Sequence, residues 1–280
     1  MKIKILLFFI IILCKVSFSQ AVFDSTKLGS NEKVGRYAKI RGFNMYYEIY
    51  GKGEPLLFIH GNGGSMTSFR YQLPYFARHF KVILADSRAQ GKSEDNSDSL
   101  SYEMMADDFN ALLDYLKIDS CNVVGWSDGG INTILLAMRH PKKVKKLVST
   151  GANLWPDTTA VDSFLYRMVV RMKDSIARLA PTAKTKNLEK LLRIVVDEPH
   201  IKLSDLKKVR CPSLIIGGDH DVVLPYHTLL IADAIPKSYL WIIPKSGHST
   251  LINYKNEFNK VTLGFLTHPF RAIQGRERFR

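Results

Sequence analysis

The sequence predicts an α/β fold: a mostly parallel, eight-stranded sheet flanked by helices, with a small helical cap inserted after the sixth strand. Three observations predict it. After an opening hairpin, apolar segments of strand length alternate with segments of helical periodicity, the order of a parallel sheet built from crossovers. The strand segments are continuous apolar runs, such as Val-Ile-Leu-Ala at 82–85 and Leu-Ile-Ile at 214–216, as expected of strands buried on both faces. From about 152 to 208 the rhythm breaks. That stretch has helical periodicity and no convincing strand, and it is too long to be a bare loop inside a compact domain.

Taken in order, 35–41 and 44–50 alternate weakly around Gly42 and read as an antiparallel hairpin. An apolar run over 55–60 ends in His60-Gly61, 69–79 reads as a helix, and 81–86 as a strand. The polar stretch 93–101 is a loop. Residues 102–116 form an amphipathic helix with Met105, Phe109, Leu112 and Leu116 on one face. Strands follow at 121–125, 144–150, 212–217 and 239–243, with a helix over 128–139 and a closing helix over 251–266.

The chain opens with Met1-Lys-Ile-Lys4, an apolar run from Ile5 to Cys14 and then Lys15-Val-Ser-Phe-Ser-Gln20. A basic start, a short apolar centre and small residues near a cut site describe a secretory signal peptide over 1–19. The apolar run is too short to span a bilayer, which takes about 20 residues. Cys14 raises lipid anchoring, but Leu13 before it is large where a small residue is needed. The expectation is therefore a secreted or periplasmic protein without a membrane span after processing, with 20–280 as one domain. Loss of Lys2, Lys4 and Lys15 with the signal lowers the formal charge from +14 to +11. The lysines are scattered and the only dense basic cluster is the tail 271–280, so no nucleic-acid site is expected. Cys121 and Cys211 begin strands that are not neighbours, which disfavours a disulfide, and no Cys-x-x-Cys or His-Glu-x-x-His suggests a metal site. No cofactor is expected.

The chemistry centres on Gly125-Trp-Ser-Asp-Gly-Gly130, between a strand and a helix. A strand that turns at once into a helix crowds the backbone on both sides of the middle residue. Glycines at 125 and 129 avoid the clash, and Ser127 is left exposed at the sheet's edge. A serine hydroxyl needs a base in hydrogen-bond reach and a group that orients the base. Asp221 and His248 each follow a predicted strand, in the chain order Ser, Asp, His. Asp221 is preferred over Asp219, which reads as a turn residue bonding its own loop. His248 is preferred over seven other histidines because it follows Gly247 at a strand end, after the acid. The glycine-rich loop 60–65 suits close backbone approach, so the amides of Asn62 and Asp128 are the candidate oxyanion donors. No Lys-Ser/Thr follows those glycines, which excludes a Walker loop.

The Asp128 carboxylate is a candidate substrate contact as well. A negative charge beside an oxyanion site hinders catalysis unless it points away or meets a cation, and an ammonium on the substrate would be such a cation. Trp126 reads as packing under the elbow, and its place next to Ser127 also makes it a candidate substrate contact. Asp86 and Arg88 read as a structural loop pair.

These residues together resemble the α/β-hydrolase family. The match runs from about 34 to 266 and rests on His60-Gly61, the 86–93 loop, the elbow, Asp221 and His248. The resemblance implies the α/β-hydrolase fold with Ser127, Asp221 and His248 as a catalytic triad. Ala89 departs from the family's usual glycine at that position. Gly-Trp-Ser-Asp-Gly-Gly-Ile131 with Gly151-Ala-Asn153 looks most like the valacyclovir-hydrolase, or biphenyl-hydrolase-like, branch. That branch cleaves α-amino acid esters with an acid meeting the substrate amine, and Asp128 stands at a matching position. The expected activity is a serine esterase acting on a small-molecule ester through an acyl-enzyme. Carbon–carbon bond hydrolysis, aminopeptidase and thioesterase action on the same triad are the alternatives, with a non-catalytic binding protein as the reading from another class.

Overall fold

The computed structural model describes residues 27–273 and Glu277. The segment read as a signal peptide, Cys14 included, lies outside the described residues, as does most of the basic tail. Eight strands form one sheet: β1 (Arg36–Ile40), β2 (Phe43–Tyr50), β3 (Pro55–Ile59), β4 (Lys81–Ala85), β5 (Cys121–Trp126), β6 (Val144–Thr150), β7 (Ser213–Gly218) and β8 (Ser238–Ile243). Their order across the sheet is β1-β2-β4-β3-β5-β6-β7-β8. The β1–β2 and β2–β4 pairs are antiparallel and all others parallel. The sheet is therefore the mostly parallel, eight-stranded one expected.

The continuous apolar runs have a physical reading in the register. Successive side chains of a strand point to opposite faces. Leu57, Ile59, Ile83, Val123 and Leu147 pack on one side of the sheet with α2 (Tyr102–Tyr115), α3 (Asp128–Arg139) and α6 (Pro225–Ala234). Leu56, Phe58, Leu84, Val124 and Val148 pack on the other with α1 (Leu73–Phe76) and α8 (Lys255–Thr267). Both faces are buried, so neither parity of position is polar. Cys121 and Cys211 are free and buried, and burial pushes their thiols up to about 12 and about 11, which makes them inert packing residues at neutral pH.

Three elements differ from the sequence reading. The expected helix over 69–79 is a 3₁₀ turn (Met66–Phe69) and the four-residue α1, whose first turn holds Pro74. Proline has no N–H to donate, so a helix cannot run through it from upstream. Helix α6 was not expected. Tyr226 and Leu229 are exposed while Ile231 and Ala232 are buried, so apolar residues occupy both of its faces and leave no stripe to read. The closing helix breaks at Tyr254 into α7 (Thr250–Asn253) and α8, with the Tyr254 hydroxyl donating to the Lys245 carbonyl.

Between β6 and β7 the chain forms α4 (Ser163–Ala177), α5 (Ala183–Asp197) and a 3₁₀ turn (Leu203–Lys208). Both helices have side-chain N-caps: Asp162 accepts from the amides of Phe164 and Leu165, and Thr182 and Thr185 form a reciprocal capping box. The segment is tied to the body by polar contacts. Lys190, on α5, is buried and donates to the Asp95 carboxylate at 3.2 Å and to the Ser97 carbonyl at 2.7 Å. Arg88 reaches the same Asp95 and pairs closely with Asp108 at 2.7 Å. Asp86 instead accepts from the amides of Met66 and Lys92. Asp86 and Arg88 are thus both structural, but each is held by other partners rather than by the other. Ala89 sits between them and Ser93 at φ 65, a left-handed conformation in which a glycine would be at ease.

Candidate active site

Ser127 sits between β5 and α3 at φ 58 and ψ −122, a strained backbone that little but a tightly packed turn maintains. The packing is visible at its neighbours. A Cβ on Gly125 would lie 2.0 Å from the Gly129 carbonyl oxygen, and one on Gly129 would lie 1.9 Å from the Ile59 carbonyl oxygen. Only hydrogen fits at either place. The helix that starts at Asp128 is thereby pressed onto β3 and β5.

Two loops bring the partners. The loop after β7 carries Asp221, whose buried carboxylate accepts from the amides of Val223 at 3.1 Å and Gly218 at 3.3 Å. The loop after β8 carries His248. Its Nδ1–H donates to Asp221 Oδ1 at 2.7 Å, which leaves Nε2 free to accept from the Ser127 hydroxyl at 2.9 Å. Asp221 fixes this tautomer, because an ionised carboxylate can only accept. Asp219 does more than bond its own loop: it meets His220 Nδ1 beside it and accepts from the Ser246 amide of the loop after β8, and these contacts hold its carboxyl at about 2.

Trp126 braces the histidine rather than facing a ligand. Its indole N–H donates to the His248 carbonyl at 2.9 Å, its ring lies 5.7 Å from the imidazole, and it is not among the residues lining the adjacent cavity. Gly151 does the complementary task. A Cβ there would come within 2.8 Å of the imidazole carbon, so its absence makes room for the ring. The sequence reading noticed Gly151 only as part of a resemblance. Its signal is a lone glycine directly after a strand.

The loop after β3 closes the site from above. A Cβ on Gly61 would lie 3.0 Å from Ser127 Cβ and 3.6 Å from its hydroxyl oxygen, so the backbone leading into Asn62 runs over the nucleophile position. His60 holds that loop: its Nδ1–H donates to the Gly61 carbonyl at 2.8 Å while Nε2 accepts from the Ser87 amide at 2.9 Å. Full burial keeps the ring neutral by lowering its pKa, which suits a group that must donate from one nitrogen and accept at the other.

Asp128 is buried and lines the cavity. Burial pushes its carboxyl up to about 6, opposed by hydrogen bonds from Asn62 and Tyr102 and by the nearby imidazole of His248. The Asn62 Nδ2 donates to Asp128 Oδ2 at 2.9 Å and to the Leu191 carbonyl of α5 at 3.1 Å. The carboxylate thus has neutral donors of its own, a solution the sequence reading did not consider. Tyr102, which the sequence marks only as the start of a helix, is a further partner of this carboxylate. Burial, and after it the Asp128 carboxylate, raise its phenol well above the ordinary tyrosine range.

The cavity beside Ser127 has a volume of about 170 Å³. Most of its wall is aliphatic and comes from separate parts of the chain: Val161, Leu165 and Val169 from the inserted segment, Val195 and Val196 from α5, and Val222 and Val223 from the acid's loop. Chemically, the arrangement offers a half-buried hydroxyl that lines the cavity, a base 2.9 Å away, an apolar recess and one carboxylate on the wall described. Residues that could hold an ammonium are present. No cluster of three or more metal-ligating groups occurs among the described residues.

Comparison with known proteins shows what these features resemble. A family model described as alpha/beta hydrolase fold matches residues 54–189. The human serine hydrolase BPHL is 27% identical over 247 residues, covering 81% of this chain and 84% of that protein. The 2-hydroxymuconate semialdehyde hydrolase of Pseudomonas sp. strain CF600 is 26% identical over 275 residues, covering 87% and 97%. Among solved structures, a thermophilic esterase from Thermogutta terrifontis superposes with a TM-score of 0.70 at 20% identity, over 83% of this chain and 97% of its own. At that identity the likeness concerns the fold. The sheet order, the serine on its strained turn and these likenesses agree on one architecture: the chain has the α/β-hydrolase fold.

Proposed function

We propose that this protein is a serine hydrolase that cleaves small carboxylic esters through an acyl-enzyme on Ser127. One observation carries the reading: the unbroken relay from Asp221 through His248 to the Ser127 hydroxyl, at 2.7 and 2.9 Å, opening onto a small apolar cavity. In the proposed cycle, His248 takes the proton of Ser127 as the oxygen attacks the acyl carbon, then passes it to the departing alcohol. Amides of Asn62 and Asp128 hold the oxyanion. Water, deprotonated by the same imidazole, releases the acid. Asp221 keeps the tautomer and stabilises the imidazolium. The cavity's size and its valine-rich wall favour a short or branched acyl chain.

Within that class we propose that amine-bearing esters are preferred, because among the described residues the carboxylate on the cavity wall is that of Asp128, next to the nucleophile. Above about pH 6 it carries the charge an ammonium would meet. The relative from Pseudomonas keeps carbon–carbon hydrolysis as the second reading. The sequence of residues 1–20 supports export as a secreted or periplasmic enzyme.

The test is one substrate panel with an active-site probe. A fluorophosphonate should label the wild type and not Ser127→Ala; an intact fold that refuses the label would leave only a binding protein. p-Nitrophenyl esters of rising chain length should lose rate beyond short chains. Amino acid esters should be cleaved faster with a free amine than a blocked one, and Asp128→Asn should erase that preference, costing about tenfold or more in kcat/KM for the free amine. Equal rates on free and blocked amines would remove the amine reading and leave the esterase.

A further inference from the structure

Helix α4 has no buried side chain, although it carries Phe164, Leu165, Met168, Val169, Met172 and Ile176. Its apolar residues serve two sides. Leu165 and Val169 line the cavity at Ser127. Phe164, Met168 and Met172 turn outward, at 71%, 40% and 46% exposure, and with Leu188 of α5 they line a separate groove of about 480 Å³. Water-exposed apolar surface of this kind marks an interaction site.

Charge decides what kind. Arg167 and Arg171 line the same groove, one turn apart beside the apolar row. Arg178, Lys184 and Lys186 stand exposed where α4 hands over to α5. Over 163–197 the sequence has eight Lys and Arg against three Asp and Glu. A second copy of this chain would bring the same positive face and be repelled. A nucleic acid would meet the basic rim but leave Phe164 and the two methionines in water. An anionic bilayer satisfies both halves: its phosphates meet the arginines while the apolar row enters the acyl boundary, the pattern of an interfacial helix.

We propose that the outer face of α4 and α5 docks on anionic lipid membranes as a peripheral contact. No helix among the described residues is long and apolar enough to cross a membrane, so the contact is one of surface binding. The proposal does not depend on which bond the enzyme cleaves.

The test is flotation of the purified full chain with vesicles of phosphatidylcholine alone or with phosphatidylglycerol. Binding is expected only with phosphatidylglycerol. It should fall by about tenfold or more in Phe164→Ser/Met168→Ser/Met172→Ser and, separately, in Arg167→Gln/Arg171→Gln. Lys142→Gln/Lys260→Gln, which removes the same charge elsewhere, should leave it unchanged. Hydrolysis of a water-soluble ester by each variant serves as the folding control. Binding that falls equally in the Lys142/Lys260 variant, or survives the apolar triple variant, would overturn the proposal in favour of diffuse charge. Absence of vesicle binding, with a dimer that the triple variant disperses, would overturn it in favour of a second copy.

Discussion

The elbow at Ser127 and the helix α4 both line one cavity and are built by opposite means. At the elbow, backbone meets backbone: an added methyl at Gly129 would fall 1.9 Å from the Ile59 carbonyl oxygen, and Ser127 is held at φ 58 by that packing. In α4 nothing is buried, and the helix is kept by its Asp162 cap, by α5 and by the ties that Lys190 makes to the 95–97 loop. In the proposed function, chemistry falls to the tightly packed part of the molecule and recognition to the part that side chains alone define. A rigid frame keeps the reacting atoms aligned, where a misplacement of about 1 Å is costly. A surface helix can change its side chains without disturbing that frame.

Removing the hydroxyl breaks the comparison at its strongest point. Ser127→Ala should lower kcat for ester cleavage by up to about 10⁶ while the melting temperature stays close to that of the wild type, since the change leaves every backbone contact in place. A residual rate within tenfold of the wild type would move the reaction away from this serine.

Gly129→Ala should show that the frame itself resists change. The methyl has no room without moving β3 or α3, so stability should fall by at least about 3 kcal/mol in urea unfolding. A loss below 1 kcal/mol would mean that the turn can relax.

Asp128 lies where the two regions meet, and its effect is intermediate. Its carboxyl has a higher pKa folded, about 6, than unfolded, 3.8. Between those values the folded state holds a proton that the unfolded state has released, so stability falls as pH rises through that window. Above it the cost is constant, with a ceiling of about 3 kcal/mol. Asp128→Asn should therefore raise stability at pH 8, by about 1–2 kcal/mol, and leave it nearly unchanged at pH 4, as read from denaturant midpoints. A gain of the same size at both pH values would point to a cause other than ionisation.

The smallest effect is expected on the outer face of α4. Phe164→Ser and Met172→Ser should each change stability by no more than about 0.5 kcal/mol and leave hydrolysis of a soluble ester untouched. A larger loss in either assay would show that this face supports the cavity.

Much of the site is legible in the chain. The strained turn is announced by two glycines around a serine after an apolar run, and the acid and base by polar residues directly after later strands. These signals are local: each depends on a few neighbouring residues and on the period of a strand or helix. The helix breaks at Pro74 and Tyr254 and the unstriped α6 were harder to read, since neighbours in space set those boundaries. Trp126 shows the same limit. Its position beside Ser127 suggests a ligand contact, but its indole is committed to the carbonyl of His248, 122 residues away in the chain.

By itself the sequence determined the succession of strands, most of the helices between them, the inserted helical stretch and the residue types of the relay, because propensity, periodicity and glycine sterics act over short range. Only the tertiary structure decided that Ser127, Asp221 and His248 meet within hydrogen-bond distance, that Asn62 and Tyr102 serve the Asp128 carboxylate, and that valines from three separate segments wall one cavity. Those outcomes turn on fractions of an ångström between distant parts of the chain, and it is the packing of the whole sheet and its helices that sets them.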